Sequence, residues 1–202
     1  MNLSKLDNYA VFEEAVINNF NFLVQQFGFR LDKIEQTGRV KVIRYESPLV
    51  YVNLIYGPPA YEPEMAFGRI GIDDAQGSQG FHPGDLVLLR SSFGWKWGAV
   101  NPKNSVLVEI VSGHAQVLRE CGSACLLGDQ ASFEEMKVRR DSAIEAWHQE
   151  EKANSVRNDA LVAWEGKDYD AVGRLLESIE TMLTDTEKKK LEYAKKQSSS
   201  SD

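Results

Sequence analysis

Cys121-Gly122-Ser123-Ala124-Cys125 sets two thiols four positions apart, a spacing that puts both on one face of a helix and suits a redox couple or half of a metal site. These are the chain's two cysteines, so no thiolate zinc tetrahedron can be completed, and dithiol redox sites use the tighter C-x-x-C at a helix start. His114 shares the stripe, but seven residues separate it from Cys121. That is roughly 10 Å along a straight helix, too far for a thiolate–imidazole pair. The spacing favours thiols that pack as small apolar groups. His82, His114 and His148 follow no metal-binding spacing. His82, just ahead of Pro83-Gly84, is expected to be the only freely exposed one. Asp73-Asp74 follows a strand end, and Glu62 and Glu64 lie in the loop before it. Clustered carboxylates of this kind can hold magnesium or act as acid and base, yet they also describe a solvated turn, which is the favoured reading.

Glycines from Gly68 to Gly98 form neither a phosphate-binding loop nor a dinucleotide fingerprint, and no G-x-S-x-G elbow occurs. No catalytic residue, metal ligand or cofactor is therefore expected. The aromatic loops offer more. Phe93-Gly94-Trp95-Lys96-Trp97-Gly98 holds three large rings within five residues, and Tyr56, Tyr61 and Phe81 punctuate other loops. Such rings either cover the open end of a core or anchor a partner, since Trp and Tyr dominate interface hot spots. Trp95, Trp97, Tyr61, Glu62, Glu64, Asp73 and Asp74 form the expected partner-binding set.

The elements that must position these groups are legible from periodicity. Leu6, Tyr9, Phe12, Val16, Phe20, Leu23 and Phe27 recur in steps of three and four, one face of a helix over residues 5–27 with Gly28 as its cap. Four or five extended segments follow: one opening at Phe29, a turn at Thr37-Gly38, then 40–45, 49–56, 65–72 and a further segment at 85–90. Short consecutive strands with tight turns predict an antiparallel meander under the first helix. The second half reads as helical. Leu107, Ile110, Val111, Leu118 and Cys121 mark a helix from about Ser105. Ser132-Phe133-Glu134-Glu135 and Thr184-Asp185-Thr186-Glu187 read as capping boxes opening two more. Residues 197–202 are too polar to bury and are expected to be disordered. The expected fold class is thus α+β, divided into residues 1–100, 101–196 and a tail at 197–202, the first two being able to share one core.

The net charge is −7. Residues 1–101 carry nine basic and eleven acidic side chains, and 102–202 carry fourteen and nineteen. This balance disfavours nucleic acid as a partner and suits a basic protein. No apolar run reaches the roughly 20 residues of a membrane span, and the start lacks the pattern of a secretory signal. With so few cysteines, a cytoplasmic location is expected.

Two resemblances add to this reading. Ala163-Trp164-Glu165-Gly166-Lys167-Asp168-Tyr169-Asp170-Ala171 resembles the turn of a tetratricopeptide-type helical hairpin, without a second copy, which implies an αα-hairpin and no repeat array. The Phe-rich helix ending at Gly28-Phe29, then Tyr45-Glu46-Ser47, Gly68 to Gly71, residues 167–169 and 187–194 together resemble small bacterial proteins of toxin-immunity type. That resemblance implies a small, acidic, non-enzymatic cytoplasmic binding protein that occludes a toxin, and it carries over no catalytic residue. The competing expectation is a small-ligand or metal-dependent enzyme with a site assembled near His82 and Asp73/Asp74.

Overall fold

The computed structural model describes residues 8–74, 80–89 and 104–198. The fold is α+β: a helix, a four-stranded antiparallel sheet, then helices. Helix α1 (Asn8–Phe27) buries Phe12, Val16, Phe20 and Leu23, four of the residues whose spacing predicts it. Gly28 ends it at φ +70°, a conformation that costs glycine nothing. Strands β1 (Arg30–Thr37), β2 (Val40–Glu46), β3 (Val50–Tyr56) and β4 (Glu64–Arg69) pair in sequence order as a meander. The β1–β2 turn places Gly38 at φ +61°.

Alternation decides the two faces of the sheet. Ile43 and Tyr45 of β2, Val52 and Leu54 of β3 and Met65 and Phe67 of β4 all point to the helix side and are buried. The fourth strand stops at Arg69 rather than Ile72, because Gly71 at φ +75° turns the chain and the Asp73 carboxylate accepts from the Arg69 N–H at 2.8 Å.

The segment expected to be extended at 85–90 is instead helix α2 (Pro83–Leu89). Its apolar run suits a strand, but Pro83 stands at the first helical position, where its missing N–H is no loss. The Asp85 carboxylate reaches back to accept from the His82 N–H at 2.7 Å, which satisfies an orphan donor of the first turn. Helices α3 (Asn104–Cys121) and α4 (Ser123–Leu126) are separated by Gly122. Cys121 and Cys125 therefore do not share one continuous helix, and both are free and buried.

Helix α5 (Gln130–Glu165) begins earlier than its expected capping box. Asp129 is the cap: its carboxylate accepts from the Ser132 N–H at 2.9 Å and from the Ser132 hydroxyl at 2.6 Å. An ionised carboxylate is the stronger acceptor and sits where the helix dipole favours it, so it displaces the serine from that role.

The chain divides into two compact units, Met1–Arg140 and Asp141–Asp202, so the division falls inside α5 and not at residue 100. The reason is packing. Leu107, Val111 and Leu118 of α3 and Phe133 and Met136 of α5 are buried in the same cluster as the sheet. Phe133 closes it, with ring centroids 5.5 Å from Phe81 and 6.3 Å from Phe67. The second unit holds the rest of α5, α6 (Tyr169–Glu177), a short 3-10 turn (Glu180–Met182) and α7 (Asp185–Ser198). It has its own core of Ala153, Ala160, Val172, Leu176, Ile179, Leu183, Leu191 and Ala194. Gln197 and Ser198, expected in a disordered tail, belong to α7; residues 199–202 lie outside the described residues. Among the described residues no helix is long and apolar enough to cross a membrane.

Candidate functional site

The expected partner-binding set does not assemble into a free acidic patch. On the sheet face away from the helices, the Arg44 Nε donates to Glu46 at 2.6 Å and its Nη2 to Asp74 at 3.2 Å. Arg69 donates to both oxygens of Asp73, at 2.8 and 3.2 Å, and to Glu134 at 3.1 Å. Burial pushes the Asp73 carboxyl up, but the hydrogen bonds and charge of Arg69 outweigh it and hold the group below the usual carboxylate range. Both aspartates are thus committed to arginines.

Between them lies Tyr51, under the Arg44 guanidinium at 4.6 Å, its hydroxyl donating to the Asp73 carbonyl at 3.0 Å. Burial and then the Asp73 and Asp74 charges push that phenol up to about 12. A side chain at Gly80, already at φ +65°, would come within 2.5 Å of the Tyr51 hydroxyl. This cluster reads as the lock on the β4 turn.

Of the other members, Tyr61, Glu62 and Glu64 are described. Tyr61, at φ +53°, packs edge-on against Tyr56 at 6.1 Å. Glu62 is half-buried, and Glu64 is exposed at the start of β4. Trp95 and Trp97 lie outside the described residues.

Among the described residues the histidines form no three-ligand site either. His82 is exposed, with its Nδ1 3.2 Å from the Met65 carbonyl, and His148 is exposed as well, so His82 is not alone in that. His114 is buried, and burial followed by the nearby His82 lowers its pKa to about 4. Burial, then Asp129, pushes the Cys125 thiol up to about 11, which leaves it an unreactive packing group. Among the described residues no three His, Cys, Asp or Glu side chains stand close enough together to hold a metal ion.

A concave, chemically distinctive surface is found elsewhere, within the second unit, and it follows from how the helical hairpin turns. Helix α5 ends with the Asp168 N–H bonding back to the Ala163 carbonyl at 2.9 Å and the Lys167 N–H to Trp164 at 3.1 Å. That is a Schellman closure, whose left-handed position normally belongs to glycine. Here Lys167 occupies it at φ +61°, while Gly166 sits one residue too early. A left-handed backbone costs a side-chain-bearing residue about 1 kcal/mol, and non-glycine outliers of this sort gather at binding sites.

Asp168 then caps α6, its carboxylate accepting from the Ala171 N–H at 2.9 Å, which fixes Tyr169 at the first helical position. Helix α7 opens with the reciprocal pair the sequence predicts. Glu187 accepts from the Thr184 N–H at 2.7 Å, and the Thr184 hydroxyl from the Glu187 N–H at 3.3 Å. Arg157 holds that end to α5 through Glu187 at 3.0 Å and the Met182 carbonyl at 2.7 Å.

These anchors bring three rings together from three helices. Trp164 lies 5.8 Å from Tyr169 and 5.5 Å from Tyr193, and the two tyrosines are 5.6 Å apart at an interplanar angle of 75°. The Lys190 ammonium stands 5.4 Å over the Trp164 ring. Around them opens a depression of about 620 Å³, lined also by Glu165, Lys167, Thr186 and Lys189. Burial, followed by the neighbouring Tyr193, raises the Tyr169 pKa above its ordinary value. Among the described residues neither Lys167 nor Lys189 forms an ion pair. Tyr193 is exposed and Trp164 and Tyr169 are half-buried, so their open parts supply a platform for an apolar or planar group and the ammonium groups a positive rim.

Sequence reasoning placed Trp164 and Tyr169 in a hairpin turn and gave them only a packing role. The usable signal was the pairing of Trp164-x₄-Tyr169 with Tyr193 in a lysine-rich helix. It is weak because the three positions converge only after α7 folds back. No protein-family model matches the chain, and neither a curated protein nor a solved structure matches it.

Proposed function

We propose that this is a non-enzymatic binding protein whose C-terminal unit takes an acidic peptide segment carrying an aromatic or large apolar residue. The supporting observation is the Trp164–Tyr169–Tyr193 depression with Lys167, Lys189 and Lys190 at its rim. A ring laid against the open side of this aromatic cluster gains area and edge-to-face contact, and flanking carboxylates meet ammonium groups at the rim. Glu165, the one acid among the described residues of the lip, sets a repulsive mark that favours placing the ligand's charges on the lysine side. The volume lies within the range of ligand-binding clefts.

Occlusion of a toxin, as the likeness to immunity-type proteins implies, is one form such binding takes, and a cytoplasmic setting fits two free buried thiols. Asp73 and Asp74 then have no steering role, because Arg69 and Arg44 neutralise them. The test is isothermal titration calorimetry of the full chain with two peptides, Glu-Glu-Phe-Glu-Glu and Lys-Lys-Phe-Lys-Lys, both capped at their ends. The acidic peptide is expected to bind at least about tenfold more tightly, and its affinity to fall with salt. Equal affinity for both peptides, or none for either, refutes the reading.

A further inference from the structure

Beyond the aromatic depression, the sheet itself offers a second surface, the outer edge of β1. This strand ends the sheet order, and among the described residues nothing pairs with its far side. All eight of its residues are exposed. Leu31 and Ile34, which stand opposite the buried Tyr45 and Ile43, remain 42% and 41% exposed on the helix side. An open edge with apolar side chains on one face is a template for another strand.

We propose that this edge pairs with the same edge of a second copy, β1 against β1 in antiparallel register, so that two four-stranded sheets join into one of eight. The register of the strand favours this pairing. A two-fold axis normal to a sheet keeps faces matched, so each residue meets one on its own face. Lys33, Glu35 and Thr37 share the outer face, as their contacts demonstrate: Lys33 donates to Glu35 at 2.9 Å and Thr37 to Glu35 at 3.0 Å.

Centring the axis on Lys33 sets lysine against lysine, and centring it on Glu35 sets carboxylate against carboxylate. Centring it on Ile34 places Lys33 opposite the second copy's Glu35, and Glu35 opposite its Lys33, on the outer face. The two Ile34 side chains then meet on the helix side. Of the three centres, this one alone sets unlike charges together and pairs an apolar residue with itself.

The irregularity between Leu31 and Lys33 shortens the regular run to Lys33–Thr37. It blunts the edge against promiscuous pairing while leaving the self-complementary stretch intact. Helix α1 lies over β1 to β3 on the same face. Two copies of α1 therefore flank the junction, each presenting the exposed Ile17 beside Lys41, the residue opposite Gln36 of β1.

Sedimentation equilibrium of the full chain across about 1 to 200 µM tests this. The expected result is reversible association to twice the chain mass. Lys33→Glu and Glu35→Lys should each weaken the dimer about tenfold or more, because each turns two attractive pairs into repulsive ones. The double exchange K33E/E35K should restore it, since the charges again alternate across the axis. Circular dichroism of each variant separates lost pairing from lost folding, and restoration in the double variant cannot arise from misfolding. A wild-type chain that stays monomeric throughout, or a dimer indifferent to both reversals, overturns the proposal.

Discussion

At the scale of single residues, burial and ion pairing sort the ionisable groups into those that hold the fold and those free to meet a partner. His114 is the clearest of the first kind. Its pKa falls from 6.5 to about 4 because burial penalises the charged ring. The unfolded chain therefore binds more protons than the folded one between those values. Stability is fully present above about pH 6.5 and is lost as pH falls toward 4, by up to about 3 kcal/mol. Urea unfolding at pH 7 and pH 4.5 should show that loss, and His114→Leu should remove most of it. The Asp73 and Glu187 carboxyls, held below their ordinary values, act in a lower window. Their contribution is lost only as pH drops through those depressed values. Lys167 is of the second kind, a charged side chain kept in a left-handed turn beside three aromatic rings.

At the scale of elements, the long helix α5 shows what a sequence pattern conveys and what it does not. Phe133 is fully buried against Phe67, Phe81 and the Arg69 guanidinium, whereas Val138, five residues on, is 64% exposed. Phe133→Ala should cost about 3–5 kcal/mol in urea unfolding, and Val138→Ala should stay within about 0.5 kcal/mol of wild type. Both are apolar residues in one helix, so only the packing separates them. The amphipathic spacing of α1 and the near-continuous apolar run of β3 made the helix-on-meander arrangement legible, because burying one face enforces a period. The 83–89 segment was not legible in that way. Seven residues are too few for a period, and its helix rests on Pro83 and the Asp85 cap. Ser132 was misread for a related reason: two competent caps lie three residues apart, and only the geometry around Asp129 decides between them.

At the scale of the whole molecule, two cores are built on different principles. The first layers helices on one side of a sheet; the second folds a helical hairpin and a returning helix around small and branched apolar residues. The candidate site was the least legible part of the sequence, because loop aromatics and paired acids draw the eye while the convergence of Trp164, Tyr169 and Tyr193 depends on tertiary return. Asp74 looked free for the same reason, since its partner Arg44 lies thirty residues away, whereas Arg69 stands only four residues before Asp73 and meets it because Gly71 turns the chain.

Selection of acidic ligands by an aromatic platform with a lysine rim is tested by the same calorimetric titration on the Lys189→Glu/Lys190→Glu variant. The variant should lose the acidic peptide and come to prefer the basic one, with Trp164→Ala binding neither. A variant that keeps the wild-type preference would contradict it.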